Sequence, residues 1–152
     1  MLRVKIFKIR LLEEYQLEDE SLLNDFMESV KVVDVKSSVI HAPPEKFWTI
    51  MVLYELLEEA ADTAIDHVLF DTSEPLTPEE ETQYLILRGW RDMKAREENI
   101  PPYMVLHASH LKAVVKVKPG SRVDFLKIAG LSRRKIEKYA DELLRVLQDL
   151  HQ

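Results

Sequence analysis

Four cationic side chains stand together at the predicted start of the last helix of this 152-residue chain. Arg133, Arg134 and Lys135 are consecutive, and Lys138 follows one helical turn after Arg134. The start of a helix carries a partial positive charge, so cations placed there slightly lower helix stability. They become useful when an anion is bound, because helix-start N–H groups and adjacent cations both attract phosphate. A solvated basic surface accounts for the same residues, and the spacing leaves both interpretations open.

The basic residues extend well beyond that helix start. Residues 110–140 hold nine Lys or Arg and two acidic residues, although the whole chain has a formal net charge of −6. A basic block on an acidic chain suggests a polyanionic partner. The predicted phosphate contacts are Lys112, Lys116, Lys118, Arg122, Lys127, Arg133, Arg134, Lys135 and Lys138. Tyr103 could add stacking on a base, although packing beside Pro101 and Pro102 is the alternative that its position favours.

Residue patterns typical of catalysis are missing from the sequence. His107 and His110 have a spacing that can hold a metal ion on one helical turn, but no third ligand follows nearby. The chain has no cysteine, which excludes disulfides and thiolate chemistry. It also has no G-x-S-x-G, Walker-type or Rossmann glycine pattern. We therefore predict a non-enzymatic protein without a metal or cofactor; a metal-dependent hydrolase would require the two histidines for activity.

The first half of the chain alternates predicted strands and helices. In order, we predict a strand at 2–10, a helix at 18–29 capped by Asp19, strands at 30–40 and 47–54 joined by a turn at 41–44, a helix at 55–66 and a short strand at 68–70. This order matches the ferredoxin-like split βαβ plan. A three-stranded sheet leaves an edge that invites pairing, so we expect this module to bind a partner or form a homo-oligomer.

The second half is predicted to be entirely helical. Thr77, Pro78 and Glu80 form a strong helix-start pattern, and that helix should run to Glu98. Its core positions should be Leu87, Trp90 and Met93, with Gly89 permitting close helix approach. Further helices are expected at 109–117, after a cap at Ser121 with Asp124, and after a cap at Ser132 with apolar residues at Ile136, Tyr139, Ala140, Leu143, Leu144 and Leu147.

Charge also divides the chain into two modules. Residues 1–75 hold 7 basic and 16 acidic residues, a net −9, whereas residues 76–152 hold 14 and 11, a net +3. Together with the polar, proline-containing stretch near residue 75, this predicts modules at 1–71 and 76–152. The predicted fold class is therefore α+β, a small βαββ module followed by an all-α bundle. No apolar run is long enough for a membrane span, and a cytoplasmic location is expected.

Three stretches of the second half resemble the HRDC domain, the helicase-and-RNase-D C-terminal module. They are LRGWRDMKAREENIPPYMVL, HLKAVVKVKPGSRVDFLKIAGL and SRRKIEKYADELLRVL, in this order. The chain departs from the family where Leu131 and Ser132 follow Gly130 in place of Val-Gly, and where Ala140 follows Tyr139 in place of Gly. The resemblance implies a five-helix bundle that binds nucleic acid or docks proteins and has no catalytic role.

The whole architecture resembles accessory proteins of reverse transcriptases from diversity-generating retroelements. About 75 residues in front of the HRDC-like part cannot hold a helicase motor or a nuclease. We therefore predict an accessory protein that binds RNA or single-stranded DNA backbone and that has a reverse transcriptase as a candidate partner. The alternative is an adaptor whose basic face docks an acidic protein without nucleic acid.

Overall fold

A computed structural model describes residues 1–57, 74–128 and 130–150 of the chain. The chain separates into two compact units, residues 1–64 and 65–152, which are described one at a time. The predicted strand at 68–70 and residues 58–66 of the predicted helix at 55–66 lie outside the described residues. Glu55, where that helix was expected to begin, is instead the last residue of a strand. The module limits 1–71 and 76–152 stay a prediction.

The N-terminal unit is a three-stranded sheet with one described helix. Its elements are β1 (Arg3–Arg10), α1 (Glu13–Ser29), β2 (Lys31–Ala42) and β3 (Glu45–Glu55). The strand order is β1-β3-β2, and β3 pairs antiparallel with both neighbours. Strands β1 and β2 therefore run in the same direction on either side of β3, which is the split βαβ arrangement. The predicted α+β class is confirmed.

Helix α1 begins five residues earlier than predicted, and the expected cap at Asp19 is wrong. Asp19 lies in the second turn, where its carboxylate accepts hydrogen bonds from the backbone N–H of Arg10 (2.9 Å) and from the guanidinium Nε (2.8 Å). Its side chain therefore fixes the end of β1 against α1. Glu13 and Glu14 occupy the first turn, where acidic side chains favour a helix start.

The turn between β2 and β3 is shorter than the predicted 41–44. His41 and Ala42 continue the ladder and pair with Lys46 and Glu45. The connection is reduced to Pro43 and Pro44, joined by a cis peptide bond. Those two prolines are the residues of this stretch that have no N–H to donate, so the ladder ends where they begin.

Phe26 of α1 is the centre of the N-terminal core. Its ring lies 5.1 Å from the Phe7 ring and 4.9 Å from the Tyr54 ring, the second contact being edge-on. On β1, Phe7 and Ile9 are buried whereas the intervening positions are more exposed, as expected for a strand with one covered face. Aromatic contacts of this kind add to the free energy gained from burying the ring surface.

Every residue of β2 is exposed in the described part of the chain. The strand lies at one edge of the described sheet and carries apolar side chains that include Val33, Val35 and Val39. A long edge strand of this kind is a template for pairing with another chain. Self-association through this unit therefore stays a prediction, and β2 is the strand on which it depends.

The C-terminal unit is helical throughout its described residues. Its elements are α2 (Pro78–Glu98), α3 (Pro102–Val105), α4 (Ala108–Val117), a 3-10 helix (Arg122–Lys127) and α5 (Arg133–Leu150). The capping box predicted at Thr77 and Glu80 is present, and α2 ends at Asn99 in the left-handed conformation (φ 54°). The one-turn helix α3 was not predicted, because Pro101 and Pro102 were interpreted as a turn.

The core of this unit lies between α2, α4, the 3-10 helix and α5. Leu87 and Trp90 are buried as predicted, but Met93 is 52% exposed, so its assignment to the core is wrong. The buried face of α2 continues to Ala95, whereas Met93 follows the exposed residues Ile86 and Gly89 at spacings of seven and four on another side of the helix. Helix α5 buries Ile136, Tyr139, Ala140, Leu143 and Leu147, and the remaining position of its predicted stripe, Leu144, is partly buried against the same core.

The change Phe26→Ala should lower the free energy of unfolding of the N-terminal unit by about 3–5 kcal/mol, because the ring is 2% exposed and packs on two others. Urea denaturation followed by circular dichroism measures this change. The matched control is Leu17→Ala on the same helix, where the side chain is 66% exposed and a change below about 0.5 kcal/mol is expected. Equal effects of the two substitutions would contradict the described core.

Gly89 was expected to allow close helix approach, and that expectation is wrong. A methyl group added at Gly89 would meet no atom within 4 Å. The change Gly89→Ala should therefore stabilise α2 by about 1 kcal/mol, the difference in helix propensity between the two residues. Thermal denaturation should show a higher melting temperature for the variant. A lower melting temperature would mean that the surface around Gly89 is covered.

Candidate nucleic-acid interface

Helix α5 organises the basic surface of the C-terminal unit. Its apolar stripe faces the core, so the opposite face is turned to solvent. Residues on that outer face recur every three or four positions, namely Arg134, Glu137, Lys138, Asp141, Arg145 and Gln148. At 1.5 Å per residue this face extends for about 20 Å. Side chains along it therefore form a line and not a compact cluster.

Two cations from other segments join this line. Arg122 of the 3-10 helix places its Nε 3.0 Å from an Asp141 carboxylate oxygen and donates a hydrogen bond of 3.0 Å to the Glu137 carbonyl. Lys118 caps α4 in the left-handed conformation (φ 49°) and lines a cleft with Gln148 near the end of α5. We define the α5 stripe as Arg134, Arg122, Arg145 and Lys118, which follow one another along the helix.

Arg145 is the member of the α5 stripe that the sequence analysis missed. The predicted basic block ended at Lys138, and Arg145 stands among acidic residues farther along the chain. Helical periodicity is the signal that identifies this residue in the sequence. Arg145 follows Arg134 by eleven residues, about three helical turns, and both lie on the exposed face.

Most of the other predicted contact residues are held by interactions within the unit. Lys116 lies 2.8 Å from Glu80, and both side chains are largely buried. Lys127 contacts Asp124 at 2.6 Å, and Lys138 forms an ion pair with Glu98. Lys112 is partly buried, and Arg133 is exposed in the first turn of α5. The nine predicted cations are therefore not all part of one surface.

Lys135 differs from its neighbours because it is only 6% exposed. It follows the buried residue Ser132, whose hydroxyl accepts a hydrogen bond of 3.4 Å from the Lys135 backbone N–H. The sequence correctly identified Ser132 as a helix cap. It could not show that the same turn buries Lys135, so we leave this residue out of the α5 stripe.

The helix start at Ser121 is occupied by an acidic side chain, as the predicted cap at Ser121 with Asp124 requires. The Asp124 carboxylate accepts hydrogen bonds from the backbone N–H groups of Gly120 and Ser121, both at 3.0 Å, and from the Ser121 hydroxyl at 2.9 Å. Hydrogen bonds to the Asp124 carboxylate lower its pKa to about 2. The bond from the Lys127 ammonium has the largest effect, and those from Ser121 and Gly120 have smaller ones. The predicted cap is therefore present, and it uses these two N–H groups within the unit.

Two carboxylates connect α5 to α2. Glu98 accepts hydrogen bonds from the Tyr139 hydroxyl (2.8 Å) and from Lys138, and Glu142 accepts them from Lys94 (2.8 Å) and the Trp90 indole N–H (3.3 Å). Burial opposes the charged form of Glu98, but Lys138 and Tyr139 outweigh it and lower the pKa of this carboxyl. These contacts satisfy the polar atoms of Trp90 and Tyr139 and fix α5 along its length.

The Tyr103 ring is half-buried on α3 and packs against His107. The two ring centroids are 6.0 Å apart with an interplanar angle of 27°, and His107 also contacts the buried His110 ring. Packing, the alternative favoured for Tyr103, thus accounts for one side of its ring. Base stacking by Tyr103 stays a prediction.

Within residues 1–57, 74–128 and 130–150, no group of three or more His, Asp or Glu side chains is arranged to hold a metal ion. The pair His107 and His110 accordingly has no third ligand among the described side chains. In the same part of the chain, no helix combines the length and the apolar character needed to cross a membrane.

The comparisons with known proteins concern the C-terminal unit. The family described as HRDC domain matches residues 82–147, so the predicted HRDC resemblance is confirmed for this segment. A segment of 69 residues is 30% identical to "ATP-dependent DNA helicase UvrD2" of Mycobacterium tuberculosis and of Mycobacterium bovis. A segment of 63 residues is 32% identical to "ATP-dependent DNA helicase RecQ" of Haemophilus influenzae.

These matches cover a small part of each helicase. They include 45% and 41% of this chain but only 10% of the length of the UvrD2 and RecQ relatives. The shared segment is thus the HRDC domain, which is not the catalytic part of a helicase.

The change Asp124→Asn should lower the melting temperature at neutral pH, because the ionised carboxylate holds two backbone N–H groups and Lys127. The pKa of Asp124 is about 2 in the fold and 3.8 ordinarily, so this stabilisation is fully present above about pH 4 and is lost as the pH falls toward 2. The difference in melting temperature between wild type and variant should therefore shrink between pH 5 and pH 2. Asp149→Asn controls for the change in net charge, and a difference independent of pH would contradict this account.

Proposed function

We propose that the C-terminal unit binds the sugar-phosphate backbone of nucleic acid along the α5 stripe, without catalysing a reaction. The observation that carries this proposal is the linear order of Arg134, Arg122, Arg145 and Lys118 along one exposed helix face. A line of about 20 Å corresponds to about six phosphates of one strand at the spacing found in a duplex. Contacts of this kind position a strand and carry little sequence information.

The match to HRDC domains of proteins named as DNA helicases supports a nucleic-acid partner. It gives no reason to assign helicase activity, because the shared segment is one tenth of those proteins. We infer that the unit contributes binding to a nucleic-acid enzyme and that the sheet unit makes protein contacts. A reverse transcriptase is the partner class suggested by the sequence, and a helicase is the class suggested by the relatives.

The competing proposal is an adaptor that docks an acidic protein on the same stripe. Salt weakens both kinds of complex, so the salt dependence of binding does not separate them. A competition experiment separates the two proposals, because a nucleic acid that occupies the α5 stripe should displace an acidic protein from it. An adaptor that uses other surfaces would keep its partner in the presence of excess oligonucleotide.

Fluorescence anisotropy with labelled single-stranded RNA, single-stranded DNA and duplex DNA tests the proposal. The double change Arg134→Glu and Arg145→Glu should weaken binding at least about tenfold at about 50 mM salt and reduce the slope of log affinity against log salt by about 2. Both side chains are exposed, so the variant should keep its fold.

The matched control is Lys46→Glu with Arg88→Glu, which changes the net charge equally at exposed positions outside the α5 stripe. This control should bind within about twofold of wild type, since exposed charges that do not contact the strand are largely screened at this salt concentration. Equal weakening in both variants would mean that net charge and not the α5 stripe determines binding. A wild-type protein that binds none of the probes would overturn the proposed function.

A further inference from the structure

A cleft of about 390 Å³ opens at the Lys118 end of the α5 stripe. It lies between the second turn of α2, the segment that follows α4 and the last turns of α5. Its walls combine the apolar side chains of Pro119, Leu144 and Leu147 with polar groups of Gln83, Gln148 and Lys118. Apolar walls with a few polar groups are typical of sites that bind small molecules.

Gln83 is the residue that distinguishes this cleft from an ordinary surface depression. It is only 6% exposed, and its amide makes no hydrogen bond with any other residue in the part of the chain that the structure describes. The amide atoms themselves are not fully enclosed, so they meet the solvent of the cleft and no protein group. The amide offers two N–H donors and one carbonyl acceptor toward a ligand that supplies matching groups.

The other polar groups of the cleft fit the same kind of ligand. The Gln148 amide lines the cleft from the exposed side of α5, so a donor and an acceptor are available from two directions. Lys118 is exposed and forms no ion pair among the described residues, which leaves its ammonium group available at the rim. A flat ring with hydrogen-bonding groups on its edge and a phosphate beside it satisfies all three side chains.

We propose that this cleft takes one unpaired nucleobase from a strand that lies along the α5 stripe. This inference rests on the proposed function, since the stripe must first bring the strand to the cleft. A base that leaves its stack is commonly held between apolar side chains and recognised by hydrogen bonds to its edge. A paired base has that edge occupied, so the cleft selects single strands. Because an amide can both donate and accept, the cleft accepts more than one kind of base.

The test compares two labelled strands of ten nucleotides, one of deoxythymidine and one in which every base is replaced by an abasic tetrahydrofuran. Both strands have the same backbone charge, so the difference in affinity isolates the contribution of bases. Wild type should bind the thymidine strand about fivefold more tightly, as expected for one or two hydrogen bonds with a buried amide. The change Gln83→Leu should reduce that ratio to below about twofold and leave the affinity for the abasic strand unchanged.

Gln16→Leu on α1 is the matched control, because it makes the same substitution in the N-terminal unit and should keep the wild-type ratio. Gln148→Ala, at an exposed position, provides a second variant if Gln83→Leu does not fold, and it should also lower the ratio. Equal binding of both strands by wild type would overturn the cleft proposal while leaving backbone binding intact. A ratio that survives in both cleft variants would place the base contact elsewhere, and binding of neither strand would overturn the proposed function as well.

Discussion

The structure of the C-terminal unit depends on the amphipathic character of α5. One face of this helix carries Tyr139, Leu143 and Leu147 into the core, and the free energy of burying these side chains fixes the rotation of the helix about its axis. Glu98 and Glu142 then fix its position along the axis by accepting hydrogen bonds from the polar atoms of Tyr139 and Trp90. Once rotation and position are fixed, the outer face can present its cations in one order only.

Ion pairs within the unit hold several of the predicted cations, and Arg122 of the α5 stripe is itself paired with Asp141. Lys116, Lys127 and Lys138 all form ion pairs with carboxylates of the same unit. The Asp124 carboxylate accepts hydrogen bonds from the backbone N–H groups of Gly120 and Ser121, the kind of helix-start groups that can bind a phosphate. The basic block of the sequence is therefore partly structural, and the local charge of residues 110–140 overstates what a ligand would encounter.

The sequence predicted features that depend on neighbouring residues and missed features that depend on distant ones. The capping box at Thr77 and the buried stripe of α5 follow from local spacing, and both were correct. The start of α1 was misplaced because Asp19 interacts with Arg10, a residue of another element. The burial of Lys135, the alignment of Arg145 with Arg122 and the position of Gln83 in the cleft depend on how helices pack, which periodicity alone does not show.

The linear arrangement of the α5 stripe has a consequence for the size of ligand that it can discriminate. A free phosphate or a single nucleotide contacts one cation at a time, and each such contact is weak in water. A polymer that reaches the whole stripe makes the later contacts within one complex, so its local concentration multiplies the separate affinities. The proposed strand-binding surface would therefore respond to the length of a charged chain more strongly than to small anions.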